Sequence, residues 1–356
     1  MKKLLVLALS GIGDALMFTP ALTVLKRAEP ELEIDAVVMF KAVEEMYSNT
    51  GLFSRVIHFD FLKEGALNSL LFVIGLRGKY THSVSVYPSN RKEYNIISAL
   101  IGAKNRGGVK YLRSDIDNLG FFNNIRVQES DSQHNAVTNI DLIKKLFAIE
   151  SADQPPYYFP INSSNSAFAQ DFIQKSKLER HRPIIGMHPG CNTLKNHINR
   201  RWAPENFAKL ADILASKFNS QNILFGGPEE SDLRKQVIAA ANSPILESNA
   251  RSLPDSAALI KACTIFITND SSLMHVSSAM GVPVVAIIGP TNKLYIHPWK
   301  TKYAIASLNL ECAPCFYYTP KPLKCSRTDT QYKCVKELTP EQVFLEVSKL
   351  FENLNT

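Results

Sequence analysis

The apolar positions of this chain fall into short uninterrupted runs, separated by longer segments with helical spacing. Residues 3–9 are apolar after Lys3, the pattern of a strand covered on both faces of a parallel sheet. Glycines follow, and residues 14–27 place apolar side chains at helical intervals. A second run at 34–39 completes a strand–helix–strand unit. Residues 56–59 and 83–86 read as further short strands with helices between, and 95–101 and 140–147 as helices. Residues 151–166 break the pattern with Pro155, Pro156, Pro160 and a cluster of Ser and Asn, so a domain boundary is placed there. A second alternating series then predicts strands at 183–187, 222–225, 264–268 and 282–288, and helices at 204–218, 256–262, 272–280 and 340–354. The expectation is an α/β chain with two parallel sheets, one in residues 1–160 and one in residues 161–356.

Composition changes this picture little. A chain of 356 residues, 45% hydrophobic and 21% charged, is neither disordered nor fibrous, and its length suits two ordinary domains. Charge adds more. Residues 1–160 carry 18 Lys and Arg against 17 Asp and Glu, and residues 161–356 carry 22 against 16. Of the net +7, the second half therefore holds +6. That excess suits a phosphorylated ligand or an anionic membrane surface, and is too scattered for nucleic acid. The start, Met1-Lys2-Lys3 and an apolar run, imitates a signal peptide. The run is short, Gly11 to Asp14 break it, and no small-residue cleavage site follows. A buried first strand is the better reading, and no apolar run approaches the roughly 18 residues of a membrane span. A cytoplasmic protein with at most peripheral membrane contact is expected.

Four motifs carry candidate chemistry. Ser10-Gly11-Ile12-Gly13-Asp14 follows the first strand, where glycines let a ligand approach a helix start. A dinucleotide fingerprint needs a third glycine where Leu16 stands, although Asp35 lies near the position of a ribose-binding acid. Asp14 taken alone reads first as an N-terminal cap or helix-dipole partner. His188-Pro189-Gly190-Cys191 leads through Lys195 to Arg200-Arg201-Trp202, a basic loop suited to phosphate, or an exposed loop with Trp202 packed as an anchor. Phe225-Gly226-Gly227-Pro228-Glu229-Glu230 offers glycines and carboxylates for a ribose, or a plain turn with a helix cap. Thr268-Asn269-Asp270-Ser271-Ser272-Leu273-Met274-His275 brings hydroxyls and a helix N-terminus together, as a pyrophosphate would require. All four lie at carboxyl ends of predicted parallel strands, where open α/β sheets bind ligands. A site in the cleft between two domains is expected.

With these motifs in order, and with Thr19-Pro20, Gly281-Val282-Pro283 and Gly289-Pro290-Thr291 between and after them, the sequence resembles glycosyltransferase family 9, the lipopolysaccharide heptosyltransferases and their relatives. The resemblance spans residues 3 to about 340. It implies a GT-B fold of two facing Rossmann-like domains, the first for the acceptor and the second, more basic, for the donor. It implies inverting transfer of a sugar, ADP-heptose being the donor suggested, to a lipid-linked glycan at the inner face of the cytoplasmic membrane. Asp14 resembles the general base, with Gly11 and Gly13 in the acceptor loop. Arg200 stands where relatives often have lysine near the donor phosphates, with Lys195 and Arg201 nearby. Glu230, beside Glu229, resembles the ribose-binding acid. Asp270, Ser271, Ser272 and His275 resemble the pyrophosphate turn. Catalysis would need no metal, because basic groups and helix N-termini stabilise the leaving diphosphate. Glycine is usual where Ser272 stands, and the loop from Gly190 to Arg200 is long.

Cys312, Cys315, Cys325 and Cys334 form a separate cluster spaced C-x2-C-x9-C-x8-C, with Phe316, Tyr317 and Tyr318 inside it. Four thiolates at this spacing suit a structural zinc or iron, or equally four reduced, packed thiols. Two other functions compete with glycosyl transfer. A nicotinamide-dependent oxidoreductase is opposed by Leu16, and a non-catalytic sugar-nucleotide-binding protein by Asp14.

Overall fold

The computed structural model describes residues 2–179, 181–317 and 321–355, with the side chains of Lys195 and Asn355 left aside. The chain forms two compact units. One comprises residues 2–160 with the segment Leu294–Ile296, the other the remaining described residues.

The first unit holds six parallel strands: β1 (Lys3–Ala8), β2 (Glu33–Val38), β3 (Arg55–His58), β4 (His82–Ser85), β5 (Asn105–Lys110) and β6 (Ile125–Gln128). Their order is β3-β2-β1-β4-β5-β6. The second holds β7 (Ile184–His188), β8 (Gln221–Leu224), β9 (Ile245–Glu247), β10 (Ile265–Asn269), β11 (Val284–Ile287) and β12 (Tyr303–Ala306), in the order β12-β11-β10-β7-β8-β9. Both are the doubly wound order, reversing direction beside the first strand of each unit. β1 and β10 are apolar over most of their length because helices cover both faces: Leu4 to Val6 and Ile265 to Ile267 have no exposed surface.

The predicted strands are present to within a residue or two, and four strands were missed. β6, β9 and β12 are short and only partly buried, and β9 and β12 bound their sheet, as β6 bounds the other, so their hydrophobic signal is weak. β5 reads Asn-Arg-Gly-Gly-Val-Lys, a turn by composition. Its glycines are there for contact: a Cβ on Gly107 would lie 3.2 Å from Val84 and Leu146, and one on Gly108 2.7 Å from Asn123. The Ser and Asn cluster of the expected linker is partly a helix start. Asn162 and Asn165 cap the Ser163–Lys175 helix reciprocally.

Candidate functional site

The second unit gathers its charged motifs at the carboxyl ends of β7, β8 and β10. His188 ends β7 and is buried. Its Nδ1 lies 3.0 Å from the Ser271 hydroxyl and its Nε2 2.9 Å from Glu230 Oε2. Glu230 follows β8 and also accepts from the Gly227 amide at 3.2 Å, while its other oxygen faces Arg201 at 3.6 Å. Burial pushes the Glu230 carboxyl up. The His188 hydrogen bond and charge, the Gly227 amide and Arg201 outweigh it and hold the group below its usual range. Gly190 makes the approach feasible, since a Cβ there would lie 1.7 Å from Glu230 Oε1. Glu229, its neighbour, is exposed.

Beside this group lies a second pair. Arg200 donates to Asp270 Oδ2 at 2.5 Å, and the Thr291 hydroxyl donates to the same oxygen at 2.7 Å. The Phe316 ring packs on the Arg200 guanidinium, 5.2 Å away. Asp270 is therefore engaged in orienting an arginine. Arg201 in turn donates to the Cys191 carbonyl at 3.0 Å. The Nε–H groups of both arginines are buried and have no partner among the described residues. Two guanidinium groups held side by side by carboxylates at the strand ends are a geometry suited to an anionic group.

Ser271 opens the Ser272–Ala279 helix in extended backbone, with no side-chain cap. His275 lies within that helix, and burial pushes its imidazole down to about 4 although the Asp270 charge opposes this. It is neutral at physiological pH and resembles a packed histidine more than a cationic phosphate contact. Trp202 is the core anchor of the blander reading. It is fully buried, its indole donates to the Leu338 carbonyl at 2.7 Å, and its amide donates to the Asn269 side chain at 3.1 Å. The Lys195 side chain lies outside the described residues. Phe316 and Thr291 as partners of the Arg200 pair were not legible: Phe316 is brought there by the bridge between Thr291 and Phe316.

The first unit supplies Asp14 in the first turn of the Ile12–Ala28 helix, directly after β1. It is half-buried. Tyr47, Tyr94, Tyr111 and Tyr157 have hydroxyl pKa values raised by burial, and the Asp14 charge adds to the rise at each. The carboxylate thus sits among phenols. Above Gly11 the space is open, with nothing within 4 Å of a built Cβ. Asp35 is elsewhere. It is buried in the amino-terminal half of β2, accepting from Tyr80 at 2.7 Å and Arg55 at 3.0 Å. That places it away from the ligand-binding strand ends and removes its ribose role. Leu16 is fully buried in the core.

The four clustered cysteines line one cavity of about 10 Å³. All are free thiols, with Arg327 directed at Cys312 and the Tyr332 amide at Cys325. No three His, Cys, Asp or Glu side chains among the described residues are placed to hold a metal ion. Tyr318 lies outside the described residues.

The family described as glycosyltransferase family 9 (heptosyltransferase) matches residues 95–325. The chain belongs to that family. It is a glycosyltransferase. Lipooligosaccharide heptosyltransferase 2 of Campylobacter jejuni is 26% identical over 349 residues, covering 95% of this chain and 96% of the relative. Among solved structures, a family 9 glycosyl transferase from Veillonella parvula aligns with a TM-score of 0.75 at 22% identity, over 99% of this chain and 97% of that one. E. coli ADP-heptose LPS heptosyltransferase II aligns with 0.74 at 20%, over the whole of both chains. The fold is GT-B, with a Rossmann-like sheet in each unit. No helix among the described residues is long and apolar enough to cross a membrane.

Proposed function

We propose that this glycosyltransferase moves a heptose from ADP-heptose to a lipopolysaccharide-core or related cell-surface acceptor, with inversion. The second unit is the donor side. The observation that carries this is the pair of arginines, Arg200 held by Asp270 and Arg201 facing Glu230, beside the Ser271–Ser272 helix start. In this reading Arg200 and Arg201 bind the diphosphate, held in place by Asp270 and Glu230. Glu230 is already engaged by His188 and Gly227, so exposed Glu229 is the freer of the two acids for the ribose. Asp14 takes the proton of the acceptor hydroxyl as its oxygen attacks the anomeric carbon. The bond from that carbon to the diphosphate breaks, and ADP leaves with its new charge met by the arginines and the helix N-terminus. The names of relatives support the heptose and the lipopolysaccharide acceptor, and a lipid-linked acceptor places the enzyme at the cytoplasmic membrane face.

Titration calorimetry with ADP, GDP and UDP tests the donor side. ADP is expected to bind best, and Arg201→Gln to weaken it about tenfold to a hundredfold, as loss of one charge-assisted hydrogen bond predicts. Equal affinity for all three nucleotides, or no effect of the substitution in a protein that still folds, defeats the assignment.

A further inference from the structure

The Gly65–Leu76 helix, Gly-Ala-Leu-Asn-Ser-Leu-Leu-Phe-Val-Ile-Gly-Leu, has two apolar faces. One, with Phe72, Val73 and Leu76, packs into the core of the first unit. The other, with Leu67, Leu70, Leu71 and Ile74 at i, i+3, i+4 and i+7, points outward, each side chain between 42% and 69% exposed. A surface helix normally carries polar residues on that face. This one has no charged residue along its length. Four large aliphatic side chains in one row form a contiguous apolar patch, which on a soluble protein marks an interaction surface.

What surrounds the patch identifies the partner. Arg77 and Lys79 follow the helix, both exposed, and Lys63 precedes it, paired with Asp60 at 3.4 Å. Between the helix and edge strand β3 runs a groove of about 580 Å³, lined by Leu71, Phe72 and Leu76 together with Arg55, His58 and Lys79. Arg55 is held by Asp35, so the apolar floor with Lys79 and Arg77 beside it is what matches a lipid's acyl chains and its phosphate. Twelve helical residues span about 18 Å, far short of the roughly 30 Å hydrocarbon core, so the helix can lie in the interface and cannot cross it.

We propose that the Gly65–Leu76 helix is an interfacial anchor, laying its outer leucine row into an anionic phospholipid surface with Arg77 and Lys79 at the headgroups. The purpose assigned to it rests on the reading that the acceptor is lipid-linked. The geometry does not.

Flotation of the full chain with vesicles of phosphatidylethanolamine and phosphatidylglycerol, compared with phosphatidylcholine alone, tests this. Binding is expected to the anionic vesicles, to weaken with salt, and to fall at least about tenfold in a Leu67→Ser/Leu71→Ser/Ile74→Ser variant. Arg77→Gln/Lys79→Gln should lower it less. Because these positions are exposed, the variants should keep the wild-type melting temperature and ADP affinity. A single Leu71→Trp variant gives a readout free of any folding defect, a blue-shifted emission on binding vesicles. Full vesicle binding by the triple variant, or an unshifted tryptophan, overturns the anchor while leaving membrane docking by another surface intact. No binding by the unaltered protein overturns both. A wild-type dimer that the triple substitution splits, with no change on vesicles, assigns the face to a second copy of the chain instead.

Discussion

The two units share one strand order and differ in what they place at the carboxyl ends of the strands. The second unit has a buried polar network. His188, Glu230 and Arg201 form one group and Arg200, Asp270 and Thr291 another, each charge facing an opposite one. The first unit places Asp14, half-buried, near tyrosines after β1, and buried Glu129 after β6, where it accepts from the Tyr87 hydroxyl and the Leu112 amide. Topology is therefore not what separates the two chemistries. A network of paired charges costs desolvation and fixes each member through its partners, which suits a rigid socket for a charged diphosphate. A half-buried carboxylate at a helix start, near several tyrosine hydroxyls, is the placement expected of a base.

The largest expected effect attacks the first unit. Asp14→Asn should lower kcat by about 10² to 10⁴, the usual contribution of a general base, while ADP affinity, proposed above for the second unit, stays unchanged. Steady-state kinetics beside calorimetry reads both. Loss of ADP binding would mean that the units are not chemically separate.

The next concerns His275. Its folded pKa of about 4 lies below the ordinary value of 6.5. The unfolded chain therefore binds the extra proton between these values, and stability falls as pH drops from 6.5 towards 4. The loss amounts to at most about 3 kcal/mol. Urea unfolding across this range should show the slope, and His275→Gln should flatten it. An unchanged slope would place the titrating group elsewhere.

The smallest effect probes the close packing of the network. Gly190→Ala must push Glu230 away from its present position, at a cost of about 1–3 kcal/mol in stability. The melting temperature should fall and ADP should bind more weakly. The same exchange at Gly11, where space is open, should leave the melting temperature nearly unchanged. Equal effects at the two glycines would remove the contrast between socket and open loop.

Much of this was legible because buried parallel strands leave unbroken apolar runs, and because ligand motifs follow them directly. The runs around β1, β7, β10 and β11 were readable on that ground. Edge strands β9 and β12 were not, since half-exposed residues carry no such run. β5 was hidden by Gly107 and Gly108, which are required by neighbours distant in sequence. The charged motifs were found as loops, yet their internal partners were not. Nothing local pairs Arg200 with Asp270, 70 residues away, or His188 with Glu230, 42 residues away.

The outer face of the Gly65–Leu76 helix makes the same point from the other side. Its sequence is apolar apart from Asn68 and Ser69, which by itself argues for burial of most of its surface. Only the packing shows one face left uncovered. The sequence alone determined the alternation of strands and helices, the doubling of that pattern, the family and the positions where a ligand is met, because these depend on local periodicity and short motifs. The tertiary structure decided which acids hold arginines, that Asp35 is engaged by Tyr80 and Arg55, and which apolar residues face solvent. Those outcomes depend on contacts between segments far apart in the chain, where desolvation and pairing are settled by three-dimensional neighbours.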